Sequence, residues 1–170
     1  MIVLERSNSM ILLPDWFSYH VWGTDKQLAH LSGLPDEVYA QEMQSVFSSM
    51  QEVFEHVWVV DALWLKRMQG EESPSIAGKR LPSIETAREE FAVLHEEMMN
   101  YITSVENPET VRSFKTMKGI EMENSIEEMI YTVVNHGSYH RGNVTAMHRQ
   151  LGYVGIPYDY IYYLKDKAKR

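Results

Sequence analysis

His136 and His140 stand four residues apart in the stretch Asn135-His136-Gly137-Ser138-Tyr139-His140. At about 100° per residue, positions i and i+4 of an α-helix lie on one face, a turn apart, so two imidazoles placed there can grip one metal ion. Met129, Val133, Val144, Met147 and Leu151 fall on the same side, which turns both histidines toward a core. A neutral imidazole in a core needs a polar partner or a metal. His56, among Val53, Val59, Val60 and Leu63, supplies a third inward nitrogen from a different helix. Three neutral nitrogens leave a fourth position for water or substrate, the composition of a catalytic rather than a closed structural zinc site. Ligand type also admits nickel, iron and manganese, with zinc or nickel the first expectation. The His-Glu-x-x-His helix of metallopeptidases is absent, because Gly137 stands where the glutamate would be.

The other polar groups are read around this trio. Glu52, one turn before His56, and Thr132 and Asn143, flanking the helical pair, are candidates for orienting the imidazoles through hydrogen bonds; the alternative is that they merely face water. His20, among Trp16, Tyr19 and Trp22, either lines the same pocket or is a packed or surface histidine. His30 and His95 have acidic or polar neighbours and are expected to face solvent, and His148 lies two turns past His140, rotated off the metal face.

Four long helices must position these residues. The first is expected from about Pro14 to Ser32, followed by a loop at Leu34-Pro35-Asp36. The second begins near Ser45 or Ser48 and reaches Gln69, with Val46, Val53, Val60, Leu63 and Trp64 on one face and Gly70 closing it. Residues 71–82, rich in Pro, Gly and Ser, form a connection. Ser83 caps a third helix to about Val105, burying Phe91, Leu94, Met98 and Ile102 while Glu89, Glu90, Glu96 and Glu97 face water. Between Asn107 and Asn124 the pattern around Lys118-Gly119 suits a short hairpin-like excursion. Ser125-Ile126-Glu127-Glu128 has the form of a capping box opening a fourth helix that ends at Leu151 with Gly152 beyond, and residues 158–164 suggest a short terminal helix. The expected fold is all-α, a single four-helix-bundle domain over 1–170, on the order of 30 Å tall at 1.5 Å per residue.

Composition narrows the function. The chain has 170 residues, no cysteine, and 16 Lys+Arg against 24 Asp+Glu, a net charge of −8. Without cysteine there is no thiolate nucleophile and no dithiol, so any thiol chemistry uses a thiol brought by a substrate. The acidic balance argues against nucleic acid as a partner, since phosphate binding needs clustered Lys and Arg. No run approaches the roughly 18 apolar residues of a membrane span, and the start of the chain lacks a signal-peptide pattern, so a cytoplasmic protein is expected.

The residues Asn135 to Gly152, with the core Asn-His-x-x-Tyr-His-Arg-Gly, resemble the C-terminal signature of the DinB-like, or damage-inducible, metalloprotein family. Tyr19 to Trp22 is similar to that family's first-helix aromatic motif, and His56 with Trp64, Leu65, Arg67 and Gly70 to its second-helix pattern. The resemblance implies a four-helix bundle in which His56, His136 and His140 hold a divalent metal. It also implies kinship with metal-dependent transferases and isomerases that use low-molecular-weight thiols such as bacillithiol or mycothiol. Asn143 stands where glutamine is usual, His148 where leucine is usual, and Gly23-Thr24 replaces a common Ala-Asn. Arg141 matches the family's arginine, either as an ion pair at the bundle surface or as an anion binder.

The expected function is a metal-dependent enzyme, a thiol S-transferase or a hydrolase, in which the metal lowers the pKa of a bound thiol or water. The rival is a non-catalytic, metal-stabilised binding or stress-response protein. A substrate-sized cavity opening onto the metal separates the two. The aromatic residues Trp16, Tyr19, Trp22, Trp58, Trp64 and the group Tyr158, Tyr160, Tyr162 and Tyr163 exceed what one core needs, so some of them should lie at an interface or pocket wall. Members of the family that this chain resembles often pair through helix faces, so the resemblance implies a homodimer, with residues 71–82 or 107–124 near the mouth of a pocket for a small-molecule substrate.

Overall fold

A computed structural model of the chain describes residues 12–169. The elements are α1 (Leu13–Leu31), α2 (Glu37–Ala40), α3 (Met50–Met68), α4 (Ile84–Ser104), β1 (Val111–Lys115), β2 (Glu121–Ser125), α5 (Ile126–Gln150) and α6 (Tyr160–Lys167). The four long helices, α1, α3, α4 and α5, form the bundle, with α1 packed against α4 and α5, and α3 against α5 and α4.

The long helices start where the sequence supplies caps. Ser49, Ser83 and Ser125 each accept a hydrogen bond from the backbone N–H three residues on, and at Ser125 the Glu128 carboxylate reciprocates to the serine amide, completing the capping box. Gly70 and Gly152, just past α3 and α5, take φ of 99° and 84°, a conformation costly for side chains with a Cβ.

Two local readings change. The loop expected at Leu34-Pro35-Asp36 is followed by the one-turn helix α2, which is not among the expected elements and whose Val38 and Tyr39 are buried. Val46 lies before α3 and is 83% exposed. The core face of α3 keeps Val53 and Leu63 from the expected set and adds Met50, Phe54, Val57, Leu65 and Met68, and Asp61 falls on it.

The excursion is a two-stranded antiparallel hairpin, with Val111 opposite Ser125 and Lys115 opposite Glu121. Phe114, its buried residue, packs edge-on against Trp64, and the Arg67 guanidinium lies over both rings at 4.7 and 4.6 Å. The hairpin therefore anchors at the Met68 end of α3. At the other end of the chain, α6 returns to α1: Tyr163 and Lys167 both bond Asp15, and Trp16, Tyr19, Trp22, Tyr160 and Tyr163 pack on one another in edge-on and tilted pairs. Among the described residues, no helix is long and apolar enough to cross a membrane.

Candidate metal centre

His56 on α3 meets His136 and His140 on α5 across the α3–α5 seam. The Nε2 atoms of His56 and His136 are 3.2 Å apart, and those of His136 and His140 are 3.0 Å apart. A cation about 2.0–2.1 Å from each nitrogen would hold tetrahedral ligands roughly 3.3–3.4 Å apart and octahedral neighbours about 2.9–3.0 Å apart, so the three rings already have the spacing of a ligand set. The donor chemistry agrees. If each Nε2 offers its lone pair, three negative ends converge on one point, and a cation is what relieves them.

All three histidines are held neutral. Burial lowers the pKa of His56 and His136, and burial followed by the adjoining His136 and His56 takes His140 down to about 4. The imidazoles are therefore ready to ligate at neutral pH without first losing a proton. His140 is buried whereas His56 and His136 are half-buried, so the centre lies at the edge of the bundle rather than at its middle.

The surroundings sort the proposed supporting residues. The Asn143 carboxamide lies 3.3 Å from His140 Nδ1. An imidazole ligating through Nε2 carries its proton on Nδ1, and the carboxamide oxygen, interchangeable with its nitrogen by a flip, is placed to receive it. Glu52 is exposed and accepts the Ser48 amide at the start of α3, and Thr132 is exposed and donates to the Glu128 carbonyl, so neither is directed at the imidazoles. Phe47, in the segment between α2 and α3, covers the group instead, with its ring 5.1 Å from that of His56 and 5.5 Å from that of His140. Tyr139, 63% exposed, stands edge-on to His140 at 5.0 Å. The hairpin packs eight to twelve residues further along α3, about 12–18 Å from His56, and residues 71–82 cross the α3–α4 seam, where Leu81 N–H bonds Glu55. A cavity of about 10 Å³ beside His140, lined by Thr24, Gln27 and Arg141 among others, has room for about one water.

A second cluster was not foreseen. His20 on α1, Asp61 on α3 and His95 on α4 are buried together, with His20 Nε2 2.9 Å and His95 Nε2 3.7 Å from Asp61 Oδ2. His95 is thus 3% exposed rather than facing solvent; it sits between Phe17 and Phe91. Arg141 is 3% exposed, which removes the surface ion pair: it lies over the Tyr19 ring, donates to Ser138 Oγ at 2.8 Å and reaches His20 Nδ1 at 3.4 Å. His20 does not join the three-histidine group. The signal that could have revealed this cluster is periodicity: Val57, Asp61 and Leu65, and Phe91, His95 and Met98, are spaced as core positions.

An all-α bundle that brings three histidines from two facing helices to one point has the form of a helical-bundle protein with a candidate metal centre. Within it, the sequence profile described as DinB family matches residues 7–170, and the chain belongs to that family. It is 33% identical over 156 residues to Protein DinB of Bacillus subtilis (strain 168), covering 87% of this chain and 91% of that protein. The crystal structure of a DinB-like protein from Bacillus cereus ATCC 10987 has the same fold, with a TM-score of 0.64 at 19% identity over 84% of this chain and 95% of that one.

Proposed function

We propose that the protein binds one divalent metal ion, zinc or nickel in the first place, through His56, His136 and His140, and is an enzyme that uses it to activate a thiol or a water, as an S-transferase or a hydrolase. The observation that carries the reading is the 3.0 and 3.2 Å spacing of neutral Nε2 atoms at a half-buried edge of the bundle. When bound, the metal would supply Lewis acidity, lowering the pKa of a coordinated thiol or water. The chain's own residues would do the rest. The three imidazoles provide neutral ligands, Asn143 fixes the proton of His140 on Nδ1, and Phe47 and Tyr139 provide the apolar rim against which a small substrate would lie. The chain has no cysteine, so a thiol nucleophile would come from solution.

One observation favours the non-catalytic rival, a metal-stabilised binding or stress-response protein: the cavity beside His140 is too small for a substrate. Metal analysis of untagged protein followed by a thiol-conjugation and hydrolysis screen separates the readings. Turnover that disappears with the metal supports the enzyme, and stoichiometric metal without turnover supports the rival. The proposal includes action in the cytoplasm and a homodimer. Exposed Ile161, Tyr162 and Leu164 on α6 support a second copy, and a monomeric mass by light scattering at micromolar concentration would remove it.

A further inference from the structure

We propose that His20 is a positioning residue for the three-histidine centre: as a neutral imidazole with its proton on Nε2, it joins the buried Arg141 cation to the buried Asp61 carboxylate and so fixes the α5 turn that carries His136 and His140 toward His56. The inference rests on the metal-centre reading above.

The chemistry of the three groups dictates the tautomer. A guanidinium only donates and a carboxylate only accepts. His20 lies between them, with Nδ1 3.4 Å from Arg141 Nη1 and Nε2 2.9 Å from Asp61 Oδ2. It satisfies both only when Nδ1 is bare and Nε2 carries the hydrogen. Burial keeps the ring neutral, taking its pKa to about 4. Burial alone would raise the Asp61 carboxyl, but at acid pH attraction to the protonated His20 ring, with its hydrogen bond and the neighbouring His95, holds it below the usual carboxylate range, so at neutral pH the chain reads cation, neutral ring, anion.

The packing ties this chain to α5. A Cβ on Gly137, the residue after His136, would sit 2.3 Å from the His20 ring, so the ring rests directly on the backbone between the two ligands. On the opposing helix, a Cβ on Gly23 would sit 2.8 Å from Arg141 Nε. Each helix gives up a side chain where the other inserts one. α5 cannot turn about its axis here without displacing the ring or the guanidinium.

The same atoms raise the possibility of a second metal site, because one ligand atom each from His20, Asp61 and His95 lies within 4.8 Å of the others, and Asp61 Oδ1 and both His95 nitrogens lack hydrogen-bond partners among the described residues. Charge opposes it. Arg141 and Asp61 already sum to zero, and a dication would add two uncompensated charges to a dry core. Ligation through His20 Nε2 would also move the proton to Nδ1, against the Arg141 donors.

The test uses ¹⁵N-histidine NMR on the metal-free full chain and zinc titration of the wild type, His20→Phe and His20→Gln. His20 should show protonated Nε2 and bare Nδ1 at pH 7. Zinc affinity should fall roughly 10–100-fold in His20→Phe, and should stay within about threefold in His20→Gln, whose amide both accepts and donates. A proton on Nδ1, equal losses in both variants, or no loss in His20→Phe overturns the proposal. So does a second zinc equivalent that survives His140→Ala and disappears in His95→Leu. If the wild type takes up no zinc, the metal-centre reading fails by itself, and ring-to-ring nuclear Overhauser contacts between His56 and His136 decide the positioning role: their loss in His20→Phe supports it and their retention overturns it. Should His20→Phe not fold, the wild-type tautomer and the His20→Gln affinity still decide.

Discussion

The two histidine groups of this bundle differ in water and in charge. His56, His136 and His140 sit at an edge with two of the three half-buried, and among the described residues no carboxylate is hydrogen-bonded to them. His20 and His95 sit in the interior with a carboxylate between them and an arginine beyond. The first group is short of positive charge and reachable from solvent, so it suits an incoming cation. The second is already balanced and sealed, so it suits holding helices in place. Residue type alone does not decide whether histidines bind metal; the net charge of their surroundings does.

The largest effect expected from breaking this contrast is at the open group. His140→Ala should weaken zinc binding at least about a thousandfold, ~4 kcal/mol, while circular dichroism still reports a folded bundle. In the closed group, the corresponding loss should appear in folding. Asp61→Ala strands the Arg141 charge in the core and should cost about 3 kcal/mol in urea unfolding. A smaller effect separates two glycines of α5. Gly137→Ala drives a Cβ against the His20 ring and should cost about 2 kcal/mol, whereas Gly142→Ala, with open space around it, should stabilise by about 0.5–1 kcal/mol.

The most gradual effect is that of pH on the metal-free protein. With His20 and His140 both lowered to about 4, the unfolded chain binds protons that the folded chain does not between the ordinary histidine value of 6.5 and about 4. Stability should be fully present above pH 6.5 and decline as pH falls through that window. Urea midpoints that stay flat from pH 7 to pH 4 would show that neither ring is buried in its neutral form.

The open group was legible in the sequence because its evidence is local. A four-residue spacing places His136 and His140 on one face, and His56 announces itself by the valines around it. The helix starts at Ser83 and Ser125 were legible for the same reason, since a cap is made within four residues. The closed group was not, because its members come from three helices and each looks ordinary at home. His95 precedes Glu96 and Glu97 and was read with them as solvated; only its partner on α3 explains its burial. Arg141 reads from the sequence as either a surface ion pair or an anion binder, because the counter-charge that brings it inside lies eighty positions earlier on another helix.

The two ligand helices are far apart along the chain, and this sets an order of assembly during synthesis. His56 precedes His136 by 80 positions, which at ~5–20 residues per second is roughly 4–16 s of translation. During that interval the ribosome has released a helix with one ligand and a carboxylate, Asp61, whose earlier partner His20 is already made but whose balancing arginine is not. The proposed centre can therefore form only once α5 has been made, and until then the chain offers His56 without the other two nitrogens of the group.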